Sequence, residues 1–179
     1  EYVYTARHSA DHLLSLLNDI LDVSAMEAGK MSIHPVPVHL PPLLEGIEKL
    51  MRPLAQQKGL GFTMELTNDL PSWVEADGTR LRQIFLNLVT NAIKHACPDG
   101  GIARVEIRID AGPDGFDVVV ADDGAGLPPG FNPKASPSLG MRIVSGLLRQ
   151  LGAALSWDSN DGGTRFRLHL PGPAARDAA

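Results

Sequence analysis

Asn87 and Asn91 stand four residues apart in the run Leu86-Asn87-Leu88-Val89-Thr90-Asn91-Ala92-Ile93-Lys94-His95, with Lys94 and His95 one turn further on. Leu86, Val89 and Ile93 recur at helical spacing as an apolar stripe, so the two amides share another face of the same helix. Two amide side chains and a lysine on one edge of a packed helix suit a Mg²⁺–phosphate site. Taken alone, the stretch is read more simply as a solvated helix face, and the segments behind it reverse that balance.

Three glycine-bearing stretches follow. Asp122-Asp123-Gly124-Ala125-Gly126 leaves the strand pattern Val118-Val119-Val120, and a carboxylate at a strand end followed by two glycines lets backbone and ligand approach closely. Ser138-Leu139-Gly140-Met141 opens a helix, where free N–H groups and the helix dipole favour phosphate. Gly162-Gly163-Thr164 carries a hydroxyl into the last strand. Each is weak by itself, since Asp-Gly is a common turn pair. Their order and spacing behind the Asn87/Asn91 helix are specific.

These groups do chemistry only where a fold holds them. Residues 77–96 are expected to form the helix carrying both asparagines, with Asp77-Gly78-Thr79 as its cap. Over residues 5–28, Leu13, Leu14, Leu17, Ile20, Leu21 and Met26 recur at threes and fours, closed by Gly29-Lys30. So wide a stripe needs partners, and a helical bundle or dimer is favoured over packing on the domain that follows. Residues 31–40, broken by Pro35 and Pro37, form a linker leading into an edge strand. Pro41 and Pro42 open a helix that Gly59 ends. Residues 62–66 alternate as a strand, closed by Asn68-Asp69-Leu70-Pro71. Pro98-Asp99-Gly100-Gly101 is a turn. Residues 103–110 and 116–121 make a hairpin around Gly112-Pro113-Asp114-Gly115. A long Gly/Pro-rich loop over 122–137 is of a kind more often functional or disordered than not. Residues 139–151 resume a helix, 155–158 and 164–170 close as a hairpin, and 172–179 are expected to be a disordered tail. One long helix followed by β-α-β-α-β-β-α-β-β gives a two-layer α/β sandwich, with helices on one face of a mixed sheet.

Composition agrees with a globular domain: of 179 residues, 44% are hydrophobic and 21% charged. A formal net charge of −5 leaves no basic footprint and argues against nucleic acid as main partner. The single Cys97 rules out an internal disulfide framework and fits a reducing compartment. No apolar run approaches the roughly 20 residues that span a bilayer, and no signal peptide opens the chain. The expectation is a cytoplasmic fragment of a longer protein, without membrane contact of its own, whatever anchor precedes it. Trp73 and Trp157 are expected as core or sheet-face anchors.

Residues 77–171 resemble the ATP-binding catalytic domain of two-component sensor histidine kinases, within the superfamily shared with gyrase, Hsp90 and MutL. The helix from Arg82 to His95 looks like the N box, Asp122-Asp123-Gly124-Ala125-Gly126 like the G1 box, Ser138-Leu139-Gly140 like a reduced G2 box, and Gly163-Thr164 like the last adenine-side motif. Residues 1–30, notably Leu16-Leu17-Asn18-Asp19-Ile20-Leu21-Asp22 and Glu27-Ala28-Gly29-Lys30, resemble the second helix of the dimerisation and phosphotransfer hairpin. The resemblance divides the chain into that helix, a linker and first strand (31–40), a catalytic domain of Bergerat fold (41–171) and a tail. It implies ATP and Mg²⁺ as cofactors. Asn87 and Asn91 would bind Mg²⁺ through their oxygens, Mg²⁺ keeping several waters and asking for few protein ligands. Lys94 would neutralise phosphate charge, with His95 hydrogen-bonding nearby. Asp122 would accept from the adenine amine with Thr164 in support. Gly124 and Gly126 would leave room for base and ribose, and Gly140 would face the triphosphate. Residues 127–137 would be a lid of the short type, with Phe131 inside it and one glycine in the second glycine box.

The resemblance further implies transfer of the γ-phosphoryl group to a histidine outside this chain, relay to an aspartate of a response-regulator receiver domain, and homodimerisation through the N-terminal helix. His8 and His12 lack the acceptor signature, being followed by Ser9 and Leu13. His34, His39 and Cys97 lack metal-ligand spacing. Asn87 bears on the activity, since the superfamily's ATPases carry a glutamate there as general base and an amide takes no proton at neutral pH. Two rival readings stand beside this one: a degenerate scaffold that docks a receiver or another kinase, and an ATP-hydrolysing switch, which Asn87 disfavours.

Overall fold

The computed structural model describes residues 2–67, 69–96, 103–112, 115–128, 130–136 and 138–171, without the side chains of residues 2–9, 11, 12, 15, 16 and 134. The expected turn at 98–101, Cys97, the tip of the first hairpin and the tail lie outside the described residues, as do the side chains of His8 and His12.

Helix α1 (Tyr2–Glu27) ends at Gly29, whose φ of 64° closes the last turn in the left-handed region. Strand β1 (Val36–His39) leads into α2 (Leu40–Gln57), with Pro41 and Pro42 in its first turn where no N–H is required. There follow β2 (Gly61–Leu66), β3 (Trp73–Ala76), α3 (Gly78–His95), β4 (Arg104–Gly112) and β5 (Gly115–Asp122). After a loop with one 3₁₀ turn (Pro133–Ala135) come α4 (Leu139–Leu151), β6 (Ala154–Asn160) and β7 (Gly163–Pro171).

Five strands form the main sheet in the order β2-β4-β5-β7-β6, with β2 parallel to β4 and the other pairs antiparallel. Alternation sends Val105, Ile107 and Ile109 of β4, Phe116, Val118 and Val120 of β5, and Phe166, Leu168 and Leu170 of β7 into the core. The core is completed by Leu44 and Ile47 of α2, Ile84, Phe85, Leu88 and Val89 of α3, and Ile143, Val144 and Leu147 of α4. Arg104, Arg108, Arg165 and Arg167 occupy the opposite, solvated face. Full burial of such apolar side chains is worth about 1.5–3 kcal/mol each, so packing holds α4 far more firmly than its Ser138 cap, worth about 1 kcal/mol.

Three features depart from the sequence expectation. The first strand is not an edge of the main sheet: β1 pairs antiparallel with β3 in a separate two-stranded sheet, His39 opposite Trp73 and Val36 opposite Ala76. β3 itself carried no sequence signal, because four residues after a proline offer too little alternation. Trp73 is also no core anchor; it is 60% exposed and stacks on His39 with ring centroids 4.6 Å apart. Helix α1, for its part, does lie on the domain, through one end. Val23 is buried, Met26 seats its Sδ where a Cβ on Gly146 of α4 would stand, and Asp22 accepts from Arg80 Nη1 (3.0 Å) and Gln83 Nε2 (2.8 Å) of α3. Leu13, Leu14, Leu17, Ile20 and Leu21 remain 48–65% exposed, the free stripe a second helix would cover.

Candidate functional site

Helix α3 begins where Asp77 Oδ1 accepts the Arg80 N–H (3.1 Å). The other carboxylate oxygen takes the His34 N–H (3.2 Å), tying the linker to the same cap. One face of α3 goes into the core, which leaves Asn87 and Asn91 at the edge facing α4. Asn87 donates Nδ2–H to Gln83 O at 3.0 Å, and Asn91 donates Nδ2–H to Met141 Sδ at 3.1 Å. Each amide thus commits an N–H to the protein through its nitrogen, and neither of these bonds uses its oxygen. A Cβ on Gly140 would stand 2.8 Å from Asn87 Oδ1, so the glycine that opens α4 preserves the space beside that oxygen.

Behind Asn91 lies a cavity of about 390 Å³ between α3, the end of β5, the 127–136 loop, α4 and β7. Leu127, Phe131, Met141 and Phe166 contribute its apolar walls, and Asn91, His95, Asp122 and Thr164 its polar groups. Apolar walls with a carboxylate among them suit a planar base bearing an amino group. Burial pushes the Asp122 carboxyl above the ordinary carboxylate range, against the N–H groups of Gly124 (3.1 Å) and Thr164 and the nearby His95, all of which favour its charged form. Larger depressions exist, 620 Å³ between α1 and α4 and 740 Å³ near Asp22, Lys30 and Arg80, but neither meets the paired asparagines.

Asn91, His95, Asp122 and Thr164 converge on the cavity; Asn87 and Gly140 face each other beside it; Lys94 is exposed and does not line it. Gly124 and Gly126 do not line it either, and their missing side chains make room for the protein's own backbone. A Cβ on Gly124 would lie 1.8 Å from Ala96 O, and one on Gly126, at φ 74°, 2.2 Å from Asn160 O. Gly163 is alike, its Cβ position 1.9 Å from Asp122 O. The sequence reading held Leu127 and Phe131 within its lid but did not mark Met141 or Phe166 as walls. Phe166 was readable from its two-residue spacing to Thr164, and Met141 from its place one residue after Gly140.

Among the described residues no three His, Cys, Asp or Glu side chains gather as a metal cage. The asparagine pair with an open edge fits Mg²⁺ instead, which takes few protein oxygens and completes its shell with phosphates and water.

Residues 76–174 match the family described as histidine kinase-, DNA gyrase B-, and HSP90-like ATPase. The chain is 33% identical over 195 residues to the aerobic respiration control sensor protein ArcB of Escherichia coli (strain K12), a match covering 99% of this chain and 25% of that protein. It is 33% identical over 200 residues to the sensor protein GacS of Pseudomonas syringae pv. syringae, covering 99% and 22%. It therefore spans about a quarter of the length of these curated relatives. The crystal structure of full-length ShkA in complex with AMPPNP superposes with a TM-score of 0.79 at 34% identity, covering 97% of this chain and 39% of that one. On the match through residues 76–174 the chain belongs to the histidine kinase-, DNA gyrase B-, and HSP90-like ATPase family.

Proposed function

We propose that this domain binds Mg-ATP and, in the full protein, presents the γ-phosphoryl group to a histidine outside this chain for relay to a receiver aspartate. The observation that carries the reading is the convergence of Asp122, Thr164 and Asn91 on one apolar-walled cavity, with Asn87 and the start of α4 at its edge. Asp122 accepts from the adenine amine, which its two backbone donors favour by holding the carboxylate in place. The N-terminus of α4 and Gly140 face the phosphates. Asn87 and Asn91 hold Mg²⁺ through their oxygens; once bound, the ion neutralises phosphate charge. Lys94 and His95, exposed at the end of α3, add positive charge or hydrogen bonds toward the triphosphate. Phosphoryl transfer asks the protein mainly for positioning, and the acceptor imidazole supplies the nucleophile. The exposed stripe of α1 supports pairing with a second copy in the full protein, and no described helix is long and apolar enough to cross a membrane, in keeping with a cytoplasmic setting.

Calorimetric titration with Mg-ATP and Mg-ADP tests this. Saturable one-site binding is expected, and no heat with either nucleotide would sink the reading. Transfer is then followed with labelled ATP and a peptide bearing the acceptor helix.

A further inference from the structure

Ser159 stands near the end of β6, the edge strand of the main sheet, and has no part in the site described above. Its Oγ accepts the Leu127 N–H at 2.7 Å and lies 3.3 Å from both Thr164 Oγ1 and Gly163 O. A serine hydroxyl has one proton and two lone pairs. All three contacts are satisfied together in one arrangement: the Ser159 proton goes to Gly163 O, and the lone pairs receive Leu127 N–H and Thr164 O–H. In the reverse arrangement, with Ser159 donating to Thr164, the contact to Gly163 O is lost. The satisfied arrangement turns the Thr164 proton away from the cavity and leaves its lone pairs for the ligand. A lone pair there takes a 6-amino purine and opposes a 6-oxo purine.

The same hydroxyl grips the loop at the residue where it becomes a cavity wall. Leu127 lines the cavity, and Gly126 before it is pressed on β6, its Cβ position 3.0 Å from Ser159 Oγ. We propose that Ser159 is a positioning residue, one hydroxyl fixing both the first residue of the lid and the donor–acceptor polarity of Thr164, and so sharpening discrimination between 6-amino and 6-oxo purine nucleotides. The inference rests on the reading of the cavity as an adenine-nucleotide site.

Ser159 is exposed on an edge strand, so Ser159→Ala is expected to fold. Amide hydrogen exchange at Leu127 is compared in the nucleotide-free chain, and Kd for Mg-ATP and Mg-GTP is measured, for the unmutated chain, Ser159→Ala and Ser159→Thr. In Ser159→Ala the expected outcome is exchange at Leu127 faster by about tenfold and an ATP/GTP affinity ratio reduced by about tenfold, the size of losing one net hydrogen bond. Ser159→Thr, which keeps the hydroxyl, should restore both. Unchanged exchange in Ser159→Ala overturns the tether, and an unchanged ratio overturns the polarity. If the unmutated chain binds neither nucleotide, the adenine reading and the discrimination claim fall together, while the exchange result still decides the tether.

Discussion

Gly140→Ala isolates the proposed metal edge of the site from the rest of the fold. The new Cβ would stand 2.8 Å from Asn87 Oδ1, whereas relaxed contacts to carbon sit at about 3.5–4.0 Å. Backbone does not have to give, because the obstructing atom ends a side chain. Asn87 can yield only by tilting its amide or by breaking the Nδ2–H bond to Gln83 O at 3.0 Å. Either moves Oδ1 by about 0.5–1 Å, against a Mg²⁺–oxygen distance of about 2.0–2.1 Å with strict octahedral demands. Disturbing the support of a metal ligand costs about 10–100-fold in metal affinity. The backbone term works the other way, since alanine in place of helical glycine gains up to about 1 kcal/mol, or about 2–4 °C in Tm for a domain of this size. The expected signature is therefore a thermal midpoint equal to or above that of the unmutated chain, together with a collapse of Mg²⁺ dependence. The assay titrates ATP by calorimetry in excess Mg²⁺ and again in EDTA. The ratio of the two affinities should fall about tenfold or more in Gly140→Ala, with the EDTA value changed by less than about twofold. A ratio equal to that of the unmutated chain would refute the assignment of Asn87 Oδ1 to the ion. A fall in Tm of more than about 5 °C would show that the helix start, not Asn87, had absorbed the contact.

Two further outcomes follow from the adenine side. Asp122→Asn should weaken ATP by about 10–100-fold, the scale of a hydrogen bond to a charged group, since an amide turned to accept from adenine sets its NH₂ against the Gly124 and Thr164 N–H donors; calorimetry giving affinity within twofold would refute it. In the unmutated chain binding needs the ionised carboxylate, so affinity should fall as pH drops through a value above 3.8, the ordinary figure. Stability of the free chain moves oppositely for this group: its raised pKa contributes stability below the unfolded value, lost as pH rises through the folded one, so acid loss of binding comes without any unfolding driven by Asp122. Gly124→Ala would place a Cβ 1.8 Å from Ala96 O, 2.5 Å from its carbonyl carbon and 2.6 Å from its Cα, all backbone atoms. It should cost about 3 kcal/mol, read as a Tm lower by about 6–12 °C; a change under 2 °C would mean the loop can lift from α3 freely.

The two glycine substitutions mark where the sequence is informative and where it stops. Helix α4 was expected over the residues it occupies, because Ile143, Val144, Leu147 and Leu148 state a 3.6-residue period and Ser138 opens it. The helix of Asn87 and Asn91 was equally plain, down to its aspartate cap. What local pattern cannot carry is contact between distant segments. That Gly124 exists for Ala96, Gly126 for Asn160 and Gly163 for Asp122 depends on three approaches of backbone to backbone. A glycine needed by a ligand and one needed by a neighbouring strand look the same in a sequence. The small β1–β3 sheet escaped for a related reason: each strand is four residues long, and only their pairing makes either one a strand. Docking of α1 through Asp22 and Met26, with its leucine stripe left outside, also rests on partners on α3 and α4 rather than on any period within the helix.

Position 87 joins the chemistry to the fold. An asparagine there cannot serve as general base, which argues against water as the acceptor of the phosphoryl group. The hydrogen bond from Asn87 Nδ2 to Gln83 O adds a structural reason for the amide, since an ionised carboxylate at this position has no proton to give that carbonyl. Gln83 in turn donates its side-chain amide to Asp22 of α1 at 2.8 Å. The residue whose carbonyl orients the Asn87 amide is thus also the residue that the preceding helix grips. A glutamate at 87 would introduce a base and at the same time give up the bond that points its neighbourhood toward Gly140. On the proposed reading, one side chain at this position would serve both ends: its amide N–H orients the oxygen offered to the metal, and the lack of a carboxylate withholds a general base from water.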